Sequence, residues 1–205
     1  MPEEVLALVS ARSGHFLLES GHHGDLWLDL DTLSWRPVRL QPLAAELARR
    51  LGGHGVDVVC GPLVGGALVA QLVATALDAA FVHAERSVAG AVAYRIPNAL
   101  RERLRCRRVA VVDDVVNAGS AVRGTLADLR VCGAVPVAIG ALLLLGAAAE
   151  RLTEDETLPV ERLAVRPSGL WPAAACPLCS EGVPLERPHP PSSAGGSGGA
   201  GRLPF

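Results

Sequence analysis

The sequence predicts an α/β protein: a mostly parallel sheet with helices on both faces, plus a small hood subdomain. Three observations carry this expectation. From Val56 onward, short apolar strands alternate with segments of helical period, the pattern of a parallel sheet covered on both sides. Apolar residues are 50% of the 205 and aromatics only 3%, so Val, Leu and Ala must build the core. The apolar strand Arg108–Val112 runs directly into Asp113-Asp114 and a glycine-bearing loop. Open parallel sheets place their ligands at such strand ends.

The elements follow in order. Val5, Leu6, Leu8 and Val9 suggest a short helix ended by Gly14. His15–Leu18 and Asp25–Asp31 read as two strands around a Ser20-Gly21 turn. Pro37 suits a helix start, and Leu40, Leu43, Ala44, Leu47 and Leu51 have helical period up to Gly52-Gly53. Val56–Cys60 is a strand, Gly61–Gly66 a loop and Ala67–Leu77 a helix. Ala80–His83 is a strand, and Val88–Tyr94 reads as another. After Arg108–Val112 come a helix over Gly119–Val131 and a long buried strand over Val135–Leu145. Leu152–Val165 reads as a hairpin or a last strand. Residues 1–186 are expected to form the folded domain. Residues 187–205, rich in Pro, Gly and Ser, read as a flexible tail.

Composition excludes several classes. The 19 basic residues are all arginine, against 21 acidic ones, for a net charge of −2. A generic nucleic-acid binder is usually basic, so no nucleic-acid partner is expected. Without lysine there is no Schiff-base chemistry, and anions must be held by arginine, histidine or backbone N–H groups. No apolar run reaches the roughly 18 residues of a membrane span, and the Met1-Pro2-Glu3-Glu4 start is not that of a signal peptide. A cytoplasmic protein with no membrane partner is the expectation. Five cysteines, an odd number and mostly scattered, argue against a disulfide framework.

The chemistry concentrates in Val109–Val122. A strand ends in two carboxylates, a loop with Gly119 and Ser120 follows, and a helix begins. A helix N-terminus offers unpaired N–H groups and a positive dipole end, which suits a phosphate. Carboxylates beside it suit ribose hydroxyls or Mg²⁺. Together they read as a sugar-phosphate site. The plainer alternative is that Asp113 and Asp114 only solvate a strand end or cap a helix.

Val111–Ala121 resembles the phosphoribosyl-pyrophosphate (PRPP) signature of type I phosphoribosyltransferases. Four more segments resemble the orotate phosphoribosyltransferase branch: Gly14–Asp25, Val56–Gly66, Phe81–Arg86 and Trp171–Glu186. That resemblance implies transfer of ribose 5-phosphate from PRPP to orotate, giving orotidine 5′-phosphate and pyrophosphate in pyrimidine (UMP) biosynthesis. It implies Mg²⁺ as cofactor and a homodimer with shared loops. Asp113, Asp114 and Arg86 would be the catalytic residues. Gly61, Pro62, Gly65, Gly66, Arg86 and Arg95 would bind PRPP with Asp113, Asp114, Val115, Val116, Asn117, Ala118, Gly119, Ser120 and Ala121. Asn117 and His23 would contact the base.

Departures from the family pattern are specific. Asn117 and Ala118 stand where hydroxyl residues are usual. Leu144 and Leu145 stand where an aspartate and an orotate-binding arginine are usual. The mobile loop keeps only Arg86 and Arg95 as cations. Glu19 and His22 stand where some members carry basic residues. Two alternatives therefore stand beside orotate transfer: a transferase for another base, and a non-catalytic PRPP- or nucleotide-binding regulatory paralogue.

Cys176-Pro-Leu-Cys179 has the spacing of half a zinc knuckle. A structural zinc takes four ligands, there is no second CxxC, and His189 falls in the tail. Two chains could share four thiolates, but a plain turn or a redox-labile pair is the expectation. No metal held directly by side chains is expected. Adjacent His22 and His23 would point to opposite faces of a strand, which makes them poor joint ligands.

Overall fold

The computed structural model describes residues 2–18, 20–30, 32–87, 93–146, 152 and 156–188. Its larger sheet has six strands in the order β5-β4-β3-β6-β7-β8. These are β3 (Val58–Pro62), β4 (Ala80–Ser87), β5 (Ala93–Arg95), β6 (Arg108–Val116), β7 (Val135–Leu145) and β8 (Val160–Arg166). All neighbours pair in parallel except β4 and β5. Both faces are covered, and β6 shows why. Ala110 and Val112 join one apolar cluster with Leu43, Leu47 and Val73. Val109 and Val111 join the other with Val122, Leu126 and Leu129. Successive strand residues point to opposite faces, so an unbroken apolar strand needs helices on both sides.

Those helices are α2 (Pro37–Leu51) and α3 (Gly65–Leu77) on one face and α5 (Ser120–Val131) on the other. Pro37 opens α2, and its inward stripe is Leu40, Leu43, Ala44, Leu47 and Leu51. Two short helices complete this part, α1 (Pro2–Leu8) and α4 (Asn98–Arg101). Among the described residues, no helix is long and apolar enough to cross a membrane.

A second, antiparallel sheet of order β1-β2-β9 forms the hood: β1 (Ser10–Leu17), β2 (His23–Asp29) and β9 (Leu170–Trp171). The C-terminal segment closes it. His23 pairs with Trp171, Phe16 bridges to Glu186, and α6 (Pro177–Ser180) lies between. The hood thus joins chain ends some 150 residues apart in sequence.

The boundaries differ from expectation in instructive places. The first helix stops at Leu8 rather than Gly14, because Ser10–Ser13 already pair with Leu26–Asp29. Helix α3 starts at Gly65, since the two glycines supply its first turn. Strand β6 continues through both aspartates to Val116, where β7 still pairs with it. The ambiguous Leu152–Val165 region contributes a last parallel strand, β8, not a hairpin. Of the strand expected over Val88–Tyr94, Ala93 and Tyr94 belong to β5, and residues 88–92 lie outside the described residues. Most of the tail lies outside them too, as do Glu19 and His189.

A buried charge ties α5 to the edge of the sheet. Asp128 accepts from the Ile96 N–H at 2.8 Å and from two Arg101 guanidinium nitrogens at 2.6 and 3.3 Å. Removing it strands a buried N–H and an arginine. Asp128→Ala should cost about 1–3 kcal/mol, read as a lower urea midpoint with an unchanged slope. An unchanged midpoint would show that this cluster contributes nothing to stability.

Candidate functional site

A cleft of about 910 Å³ opens at the carboxyl edge of the parallel sheet, between it and the hood. Its floor is the end of β6 and the loop Val115–Ala121 that leads into α5. One wall is the β3–α3 turn, Pro62–Gly66, which includes a cis peptide between Leu63 and Val64. Arg86 from β4 and Tyr94 from β5 form another, and Leu26–Leu30 on and just beyond β2 face them from the hood.

Asp113 and Asp114 lie on the floor and are both buried. They are adjacent at the end of β6, and their carboxyl groups lie within reach of each other, both against the Gly65-Gly66 turn. A Cβ added at Gly65 would collide with the Asp114 carboxylate, and one at Gly66 with that of Asp113. Only glycine lets the start of α3 come so close. Val115 N–H donates to Asp114 Oδ1 at 2.8 Å, and Asp114 N–H to Asp113 Oδ1 at 3.1 Å. Burial first, and then the neighbouring carboxylate, push the Asp113 carboxyl well above its ordinary range. Burial also pushes Asp114 up. Such a pair is held ready for hydroxyl donors or a cation.

The loop that follows is shaped for an anion. Gly119 takes a left-handed φ of 73° and caps α5. Arg123 N–H returns to the Gly119 carbonyl at 2.9 Å, so the helix is hydrogen-bonded from its first turn. The first N–H groups of α5 have no partner within the helix and open on the loop. Arg123 braces that loop by donating from Nη2 to the Ala118 carbonyl.

Most of the residues expected in the site meet here: Pro62, Gly65, Gly66, Arg86, Asp113, Asp114 and all of Val115–Ala121. Three do not. Gly61 is buried beneath α3, where a Cβ would come within 2.7 Å of Ala67 Cα and Ala70 Cβ, so it serves helix packing. Arg95 alternates with Tyr94 on β5. Tyr94 lines the cleft and Arg95 does not; the Arg95 guanidinium lies 3.8 Å from Asp128 on α5. His23 is buried in the hood away from the cleft lining, with Nδ1 3.0 Å from His15 Nε2 and 3.2 Å from Cys179 Sγ.

Other lining residues gave no sequence signal of their own. Trp27 and Ser34 reach the cleft only through the hood's position, and Tyr94 only through the β5 register. Leu145 also lines it, and Arg86 is the one cation on the wall among the described residues.

No family model matches the chain. The orotate phosphoribosyltransferase of Thermoanaerobacter sp. (strain X514) is 32% identical over 192 residues, covering 91% of this chain and 96% of that protein. The crystal structure of adenine phosphoribosyltransferase from Thermoanaerobacter pseudethanolicus gives a TM-score of 0.65 at 18% identity, over 81% of this chain and 100% of that one. That of orotate phosphoribosyltransferase from Aeropyrum pernix gives 0.62 at 23% identity, over 80% and 93%. These two structures share the fold of this chain. The sequence relationship goes further: the chain belongs to the orotate phosphoribosyltransferase family.

Proposed function

We propose that the chain transfers ribose 5-phosphate from PRPP to orotate, releasing pyrophosphate. The observation that carries this is the buried Asp113-Asp114 pair leading into an anion-shaped loop, opposite the Gly65-Gly66 turn. The loop Val115–Ala121 holds the 5′-phosphate on the α5 N-terminus. The two carboxylates accept from the ribose hydroxyls. The Gly65-Gly66 turn and Arg86 hold the pyrophosphate.

In the reaction the bond from the anomeric carbon to the pyrophosphate oxygen breaks, and a ring nitrogen of orotate bonds to that carbon and gives up its proton, which balances against the departing pyrophosphate. The bonding pair leaves with pyrophosphate. The chain's task is to align the two reactants and stabilise the departing charge. The donor set fits Mg²⁺, since hard carboxylate oxygens lie beside the place for the ribose and pyrophosphate. When bound, Mg²⁺ supplies positive charge on the pyrophosphate oxygens. The proposal includes a cytoplasmic homodimer, as family membership suggests. The exposed apolar Leu63, Val64 and Leu68 beside the cleft support a second copy.

One observation favours a second reading. Leu145 lines the cleft where the family pattern expects the orotate-binding arginine. A wall with Arg86 as its described cation suits an uncharged base. Pyrophosphate release should be measured with PRPP, Mg²⁺ and either orotate or a panel of uncharged bases. Orotate-dependent release supports the first reading. Release only with an uncharged base supports the second, and none with any base removes catalysis. Arg86→Ala should lower kcat/KM at least tenfold, the loss of a charge-assisted contact worth about 1.5–3 kcal/mol. Unchanged kinetics would make Arg86 structural.

The aspartates also predict a pH dependence. A carboxyl raised in the folded state stabilises the fold fully below its unfolded value of about 3.9. That contribution is lost as the pH rises through the raised value. Asp113→Asn with Asp114→Asn should therefore raise the melting temperature of the ligand-free chain at pH 8. The rise should be about 2–4 °C if ~1 kcal/mol of penalty is relieved. It should be far smaller near pH 4, and PRPP-dependent turnover should be abolished. Full turnover in this variant would take both carboxylates out of the reaction.

A further inference from the structure

Outside the cleft, four potential metal-ligating side chains converge inside the hood: His15, His23, Cys176 and Cys179. Their ligand atoms all lie within 4.8 Å of one another. His15, His23 and Cys176 are 1%, 6% and 4% exposed, and Cys179 closes the cluster from the surface. We propose that this cluster is a structural zinc site that pins the C-terminal segment to the β1–β2 hairpin.

The geometry carries the proposal. A tetrahedral zinc with Zn–S near 2.3 Å and Zn–N near 2.05 Å sets ligand-to-ligand edges of about 3.3 Å for N···N and about 3.6 Å for N···S. Here His15 Nε2 to His23 Nδ1 is 3.0 Å. Cys176 Sγ and Cys179 Sγ lie 3.5 and 3.7 Å from His15 Nε2, and Cys179 Sγ lies 3.2 Å from His23 Nδ1. Four of the six edges thus match a zinc tetrahedron to within a few tenths of an ångström, and the remaining two, both from Cys176 Sγ, lie within 4.8 Å.

The tautomer of one ligand is already set. His15 Nδ1–H donates to the Val183 carbonyl at 2.8 Å, which leaves Nε2 with its lone pair toward the cluster. A ligating histidine is commonly oriented by such an outer hydrogen bond. Two soft thiolates with two imidazoles select zinc over magnesium or calcium. All four positions are filled by protein, the mark of a structural rather than a catalytic site.

The sequence conceals this site because its ligands come from two distant segments. Cys176 and Cys179 supply one half. His15 and His23 supply the other, across a hairpin in which Leu17 pairs with His23 and the register shifts between Ser13 and Phe16. No shared thiolates from a second chain are needed.

The full chain, purified untagged under reducing conditions, should carry one zinc by elemental mass spectrometry. Replacing it with Co²⁺ should give the thiolate-to-cobalt and visible bands of a tetrahedral Cys₂His₂ site. Cys176→Ser with Cys179→Ser should abolish both and lower the melting temperature. Cys106→Ser, an exposed cysteine elsewhere, should leave both unchanged. The wild-type metal content and cobalt spectrum decide the matter even if the double variant fails to fold. A metal-free chain without cobalt bands would overturn the proposal, whether its thiols titrate freely, as in a hydrogen-bonded cluster, or only after reduction of a disulfide. The zinc proposal is independent of the phosphoribosyl reading: either can fail while the other stands.

Discussion

The structure depends on a cost at its centre: two adjacent carboxylates buried at the end of β6, one of the two central strands. Burial and mutual proximity work against their charge. Nothing in the apolar core requires charge there. The surrounding architecture over-determines their position. Strand β6 lies between β3 and β7, with parallel pairing on both sides. Pairing with β7 persists through Val115 and Val116, so neither carboxylate can swing into solvent with a frayed strand end. The Gly65-Gly66 turn then presses directly against both side chains.

From that constraint the rest of the cleft follows. Strand β6 must stop soon after the aspartates, because the chain turns into α5 there. The turn needs Gly119, whose positive φ aims the loop back under the cleft. The N-terminus of α5 then faces the same space as the carboxylates. On the proposed reading, one strand end supplies acceptors for hydroxyls, and the next helix start supplies donors for a phosphate. The hood completes the enclosure by bringing Leu26–Leu30 over the opening. If the hood is fastened through its four-ligand cluster, the cleft's roof depends on chain ends that the parallel sheet alone does not hold.

Much of this was legible in the sequence, and the exceptions share a cause. Local patterns carried well: the helical stripe of α2, the apolar β6, the Asp113-Asp114 pair and the Gly119 turn all sit where their spacing placed them. What failed was orientation. Arg95 is two positions from the described start of β5, yet Tyr94 lines the cleft while Arg95 pairs with Asp128 of α5 instead. Gly61 carries the mark of a backbone cradle but spends it on helix packing, because the helix it supports begins two residues earlier than propensity suggests. His23 belongs to a family-like segment but turns toward His15. No sequence period links His15 with Cys179, so only the folded hood discloses that cluster.

The cleft at the end of β6 is proposed to take a sugar bearing phosphate and pyrophosphate. Calorimetric titration of PRPP into the wild-type full chain, with and without Mg²⁺, tests it most directly. Saturable one-site binding that strengthens with Mg²⁺, and competition by pyrophosphate, are expected. An absence of binding heat at several temperatures, with no protection of the chain against thermal unfolding, would contradict the claim. The Asp113–Ala121 constellation would then be a shape without its ligand.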